Sequence, residues 1–515
     1  MYCSQCGGEV SGSVRYCPAC GARQETGVVP AEKSLPEEQE KEKKRQKAHR
    51  QGRRLGNFLV SVIALVILFA GDQKVPGASE HTFRRMDAAY FTVQNQREMA
   101  VCGAQGIVCT VDVPQKVLCS ADKSVLAYID RDRELYYMEA DGPVFIDDGV
   151  KDAQISFYGD TAVYVRVGAD GREELGVRAL GEASGERIAV TACGDFSVSP
   201  DGKTVAWVEE AEDGALYLRR PDGSGEKIVK NISKIFGISD GGGTIFCQRD
   251  DGRLCCRQDG RERLLTETGG NVSFLLNESR TEMLYTIGKS TWYYAAERES
   301  PVRLTGVKGN VLADCFMTGT AYQRGHGLIL GRKTLKNMAF ATEDTENAGY
   351  RVYYLDWNGE CAETIFNHAD QFQISGDGRS LLGLADGRLY RVREIQSGED
   401  KVCLEEKLTV CQFAASPDLQ KIWFVTEDAD LYSVKDQERT NLSAGLDQMY
   451  GYCGRGVLFR EGGDLYLAGG DGKTLIEEGV DGAYIQENYG AILDLDGMFC
   501  HLKAAGQIER LISSR

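Results

Sequence analysis

Between Ser199 and Ser239 the chain reads SPDGKTVAWVEE, then GALYLRR, then GEKIVK, then SKIFGIS, four short apolar runs parted by Glu-Asp-Gly, Pro-Asp-Gly and a polar stretch. Asp and Gly tolerate the positive φ that tight hairpins demand, so each Asp-Gly pair is read as a turn closing two strands. Short strands with a turn every eight to twelve residues specify an all-β domain. The same unit recurs along the chain, and the recurrence narrows the architecture further.

A polar turn followed by an apolar strand appears at Ser120 (SADKSVLAY), Tyr158 (YGDTAVYV), Ser199 (SPDGKTVAW), Ser239 (SDGGGTIFC) and Asn277 (NESRTEMLY). It returns at Lys336 (KNMAFA), Ser375 (SGDGRSLLGL), Ser416 (SPDLQKIWFV), Cys453 (CGRGVLFR) and Glu487 (ENYGAILD). Most intervals are 35 to 42 residues, the length of one four-stranded propeller blade. The expectation is an all-β protein whose residues 89–515 form a β-propeller of roughly seven to ten blades, as one large ring or two. The long interval from Asn277 to Ser375 holds GHGLILGRKTLK, read as an insertion. AYFTVQ, near Ala89, is expected to complete the blade begun by the C-terminal strands AILDLD, MFCHLK and QIERLISS, which would remove exposed sheet edges.

The S-x-D-G-x-x-hydrophobic unit, best seen in SPDGKTVAW and weakest in CGRGVLFR, resembles the repeats of TolB-type and related WD40-like β-propellers, and of domains of unknown function fused to bacterial membrane anchors. The resemblance spans roughly residues 89–515.

Upstream, LGNFLVSVIALVILFAG (Leu55 to Gly71) is seventeen residues without a charge. As a helix it extends about 25 Å, enough for a thin or locally compressed bilayer. A cleaved signal or a core helix is the alternative, but the run has no polar face, and 54 residues precede it, far more than the n-region of a signal peptide. Eight Lys or Arg against one acid lie between Lys41 and Arg54. The positive-inside bias therefore predicts a cytoplasmic N-terminus held near an anionic inner leaflet and an extracytoplasmic C-terminal part. The net charge of −17 divides accordingly, +4 for residues 1–71 and −21 for 72–515. So acidic a domain disfavours nucleic acid as a partner.

The first 24 residues hold Cys3 and Cys6, then Cys17 and Cys20, two C-x-x-C pairs each followed by glycine, at Gly7 and Gly21. Four thiolates so spaced can close a tetrahedron around one structural zinc ion, and a segment this short would draw most of its folding free energy from the metal. Disulfides and a redox C-x-x-C are the competing readings. Closed coordination by four thiolates leaves no open position for catalysis. The head, a charged linker over 25–54, the apolar helix and a stalk over 72–88 together resemble the zinc-ribbon heads of bacterial membrane-anchored proteins. That resemblance implies a membrane protein of a Gram-positive bacterium.

Thirteen cysteines follow the apolar run, an odd number. Cys255 and Cys256 are adjacent in a predicted strand and should face opposite ways. So many thiols outside a cell favour an anaerobic habitat or, alternatively, the reverse topology.

Catalytic signatures are few and incomplete. Gly202-Lys203-Thr204, Gly288-Lys289-Ser290 and Gly472-Lys473-Thr474 resemble the end of a P-loop, but Ser197, Met283 and Leu467 stand where its first glycine belongs. The chain contains no H-E-x-x-H motif, its one G-x-S-x-G stretch, Gly237 to Gly241, falls in a repeat turn, and its five histidines lack metal-ligand spacing. The aromatic pairs Tyr136-Tyr137, Trp292-Tyr293-Tyr294 and Tyr353-Tyr354 are more suggestive. If each pair packs only one ring, the other is left for a ligand; if two blade interfaces share the strand, both are consumed. Trp292, Tyr294, Tyr353 and His326, with the insertion, form the candidate ligand surface. The expected function is a non-enzymatic, membrane-anchored binding or scaffold protein recognising an envelope protein or glycan outside the cell. The alternative is an extracytoplasmic lyase or glycan hydrolase working in the propeller channel.

Overall fold

A computed structural model describes residues 91–513, except 95–96, 104–105, 140, 191, 211–212, 313–320, 325–326, 331, 345–348, 376–378, 394, 396–400, 436–437, 470–471, 486–490, 496–497 and 503–507. All of them belong to the compact unit Glu80–Arg515. The zinc-ligand candidates Cys3, Cys6, Cys17 and Cys20 and the apolar run Leu55 to Gly71 lie outside the described residues. Among the described residues no helix is long and apolar enough to cross a membrane, and no three candidate metal ligands cluster.

The described chain is all-β and propeller-like, with eleven sheets in sequence order, antiparallel throughout except for one parallel pairing in the sixth. We number them by residues: sheet 1, 91–112; sheet 2, 116–147; sheet 3, 150–190; sheet 4, 193–229; sheet 5, 232–264; sheet 6, 272–303; sheet 7, 338–369; sheet 8, 371–405; sheet 9, 410–443; sheet 10, 448–477; sheet 11, 482–513. Eight have four strands in simple meander order. The expected seven to ten units become eleven because the N-terminal sheet lacks the Ser-Asp-Gly type of turn. The expected strand exchange is also corrected. Sheet 11 is completed by its own C-terminal strand Ile508–Ser513, and the N-terminal strands Phe91–Gln94, Glu98–Gly103 and Gly106–Asp112 pair among themselves.

The recurring motif is a closed turn between the first two strands of a sheet. In sheet 4, Ser199 Oγ accepts the amide of Thr204 at 3.0 Å and donates to Asp201 Oδ1 at 2.6 Å, while Gly202, at φ 75°, donates its amide to Ser199 O. The same five-residue closure onto a side-chain oxygen is made by Ser120, Ser156, Ser239, Asn277, Ser375 and Ser416. The motif is thus an amide-satisfying device, since each buried donor left without an acceptor would cost about 1–3 kcal/mol. It also explains the P-loop look-alike at Gly202.

Strand alternation sends successive side chains to opposite faces, and both faces are covered. Tyr137 of sheet 2 meets Tyr164 of sheet 3, Val165 meets Trp207, Leu216 meets Ile235, and Phe246 meets Tyr294. Onward, Tyr293 meets Phe340, Phe366 meets Leu381, Leu384 meets Phe424, Trp423 meets Phe459, and Leu458 meets Leu493. Ala100 and Cys102 of sheet 1 then share a core with Ile492 of sheet 11, and Met99 and Val101 one with Tyr128 of sheet 2. Each core joins two neighbouring sheets, the one between sheets 5 and 6 also including turn residues of sheets 2 and 3, and the series closes on itself.

Inner turns of sheets 2 to 6 also converge. Ala121 and Phe157 join the Phe236 and Phe274 core, Tyr158 donates its hydroxyl to Glu278, and buried Arg280 donates to the carbonyls of Val198 and Ile238. In the insertion, Ala321–Arg324 and Gly327–Leu330 form a hairpin that joins sheet 6 by parallel pairing to Val272–Leu276, making six strands.

Candidate ligand site

Packing takes up the rings expected on a ligand surface. Tyr294 is fully buried, edge-on to Phe246 at 6.1 Å, with its hydroxyl accepting from Arg263 Nη1 at 3.3 Å. Tyr353 is buried against Phe340, and its hydroxyl accepts the Lys308 amide at 3.0 Å. Trp292 is half-buried with the Arg303 guanidinium 5.9 Å from its ring. His326 lies outside the described residues. The aromatic surface is therefore corrected to a pair of inter-sheet cores: with a sheet on each side, a strand has no free face. The ring that does meet solvent nearby is Trp357, 75 % exposed beside the Gly359 turn. No sequence signal separates it from the buried aromatics.

A cleft of about 370 Å³ lies instead on sheet 3 and the outer edge of sheet 2. Its geometry begins with Tyr164, whose cross-strand partner is Gly176. A Cβ at Gly176 would come within 2.7 Å of the Tyr164 ring, and one at Gly185 within 2.9 Å of its hydroxyl. Two glycines therefore make room for the ring, leaving its hydroxyl beside Asp147. Burial first, then the charge and hydrogen bond of Asp147, raise the Tyr164 pKa, so the phenol stays protonated.

Arg178 lines the cleft and is nine-tenths buried. It donates through Nε to Glu182 O at 3.0 Å and through Nη1 to the carbonyls of Phe145 and Ile146 at 3.2 and 2.8 Å. No ion pair ties it to a described carboxylate, and Nη2 has no hydrogen-bond partner among the described residues. The cleft's acids are already engaged. Asp147 pairs with Arg166, which also meets Asp148 at 3.2 Å and Glu174 at 3.7 Å; Glu174 meets Arg187 at 2.8 Å; Glu186 pairs with Arg219. A guanidinium held by carbonyls alone keeps its charge available to a carboxylate or phosphate group, for which its fork geometry is suited. The volume lies at the low end of small-molecule sites. These residues come from four stretches, three on strands and one on the loop and strand start from Ala183 to Arg187, and in sequence none of them stands out from ordinary solvated surface.

No family model and no curated protein matches the chain. Among solved structures it is similar to a eukaryotic initiation factor, at 11% identity over 69% of this chain and 97% of that one, with a TM-score of 0.41. It is also similar to PorZ, described as an essential bacterial surface component of the type-IX secretion system of Porphyromonas gingivalis, at 12% identity over 82% of this chain and 59% of that one, with a TM-score of 0.31. At those scores neither superposition fixes a common fold.

Proposed function

We propose that the protein is a membrane-anchored, non-enzymatic binding or scaffold protein: a structural zinc ribbon inside, one span, and a TolB-like propeller outside that engages an envelope protein or glycan through an acidic group on that partner. The anchor and ribbon rest on the sequence of residues 1–71. The binding role is carried by Arg178, a buried guanidinium without a carboxylate partner among the described residues, set in a cleft whose own acids are paired. The −21 charge of residues 72–515 repels extended polyanions, so the fitting partner presents an isolated carboxylate or phosphate.

Capture of an envelope component by the full-length protein in detergent tests this reading. Ser184→Trp would fill the cleft from its exposed lip without touching the Arg178 hydrogen bonds, and should weaken capture at least tenfold with the melting temperature unchanged. Undiminished capture would remove the cleft from the proposal. Multiple-turnover cleavage of a glycan would establish the enzyme reading. Protease added to intact protoplasts should digest the propeller and leave a membrane-retained ribbon; the opposite pattern reverses the topology.

A further inference from the structure

Cys247 and Cys255 are directly opposed on neighbouring strands Thr244–Arg249 and Leu254–Gln258 of sheet 5. Both are fully buried, in the core shared with sheet 4, and their sulfurs are 3.2 Å apart. Opposed residues in antiparallel strands have Cα atoms about 4.5–5.5 Å apart, inside the roughly 4.4–6.8 Å that disulfides span. The sulfurs need to approach by only about 1 Å to reach bonding distance, which small side-chain rotations supply. Cys256 is the nearest competitor in sequence, yet strand alternation places it on the other face, in the core with Phe246 and Tyr294. The pairing is therefore chosen by the strand register.

We propose that Cys247 and Cys255 form a cross-strand disulfide, made while the chain folds in the presence of a disulfide donor. One thiolate attacks the donor and expels one of its sulfurs as a thiol, giving a mixed disulfide. The second cysteine's thiolate then displaces the other donor sulfur. The S–S bond of the donor breaks, the Cys247–Cys255 bond forms, and the donor leaves as two thiols carrying the electron pair and two protons. The folded core admits no donor, and the mutual hydrogen bond and burial hold the Cys247 thiol protonated. Oxidation thus precedes closure of the sheet 4–sheet 5 core, and the finished bond is shielded from reductant. The chemistry depends on the pair alone and stands apart from the binding reading and from topology.

The test is refolding of the full-length protein in detergent from denaturant with a glutathione redox buffer, followed by denaturing alkylation and trypsin. The expected product is the peptide Ile235 to Arg249 linked to Leu254 to Arg257, with one alkyl group on Cys256. Cys256→Ser should retain the link, and the oxidised protein should melt above the reduced one by a margin that Cys247→Ala abolishes. Recovery of both cysteines alkylated after refolding in the donor, or of either joined to another cysteine, would overturn the assignment.

Discussion

Tyr293 and Tyr294 are neighbours in the chain and belong to different cores, one joining sheets 6 and 7 and the other sheets 5 and 6. Truncating either one opens a cavity between two sheets. Tyr293→Ala and Tyr294→Ala should each cost about 3–5 kcal/mol, the range for large aromatic truncation, whereas half-buried Trp292→Ala should cost less. Chemical denaturation of the three variants checks the order. Equal, negligible losses would contradict the packing.

The inner turns allow a pair of opposite predictions. Ser199→Ala removes the acceptor of the buried Thr204 amide and should destabilise by about 1–3 kcal/mol. Lys123 holds the equivalent of Gly202 in the sheet 2 turn, at φ 57° and exposed. Lys123→Gly should relieve left-handed strain and stabilise by up to about 1 kcal/mol. Thermal melts of both variants must move in opposite directions.

Glu405 links sheet 8 to sheet 9. Burial opposes its ionisation, but Arg439 Nη1 at 2.6 Å and the amides of Lys407 and Leu408 outweigh that and lower its pKa. A carboxyl with a depressed folded pKa contributes stability that is complete above its unfolded value, about 4.3, and lost as pH falls through the lower folded value. Urea midpoints should therefore fall below about pH 4, and Glu405→Gln should be less stable at neutrality with a shallower acid decline. An identical slope in the variant would remove Glu405 from the acid response.

The amino-terminal head should bind one zinc ion per chain. Metal analysis of the purified protein, repeated on Cys3→Ser and Cys17→Ser, checks this; each substitution should release the ion, because removing one thiolate of four opens the coordination sphere. Full retention in both would refute the four-cysteine site.

The repeat is legible because seven of its turns, in sheets 2 to 6, 8 and 9, close an amide onto a Ser or Asn side-chain oxygen within six positions. Ten anchors in the sequence mark sheets 2 to 11, and the first sheet escapes because its stretch FTVQNQREMAV contains no such unit. The inserted hairpin joins Val272–Leu276 by parallel pairing, which no local pattern encodes. The aromatic pairs do face both ways, but the series of stacked sheets buries both sides, as Tyr353 and Tyr354 show. The Arg178 cleft is illegible for a different reason: Ile146, Tyr164 and Gly185 come together only through register and sheet stacking.

The seam where Ala100 and Cys102 meet Ile492 joins sheet 1 to sheet 11, which is synthesised about 380 residues later. Until sheet 11 is made, the flank of sheet 1 that carries Ala100 and Cys102 has no lasting partner, so the nascent intermediates carry a sticky, unmatched end. Closure of the series is consequently timed by the synthesis of sheet 11. A ribosome stalled anywhere before sheet 11 would release an open chain of docked sheets with two aggregation-prone faces, however well its middle had folded.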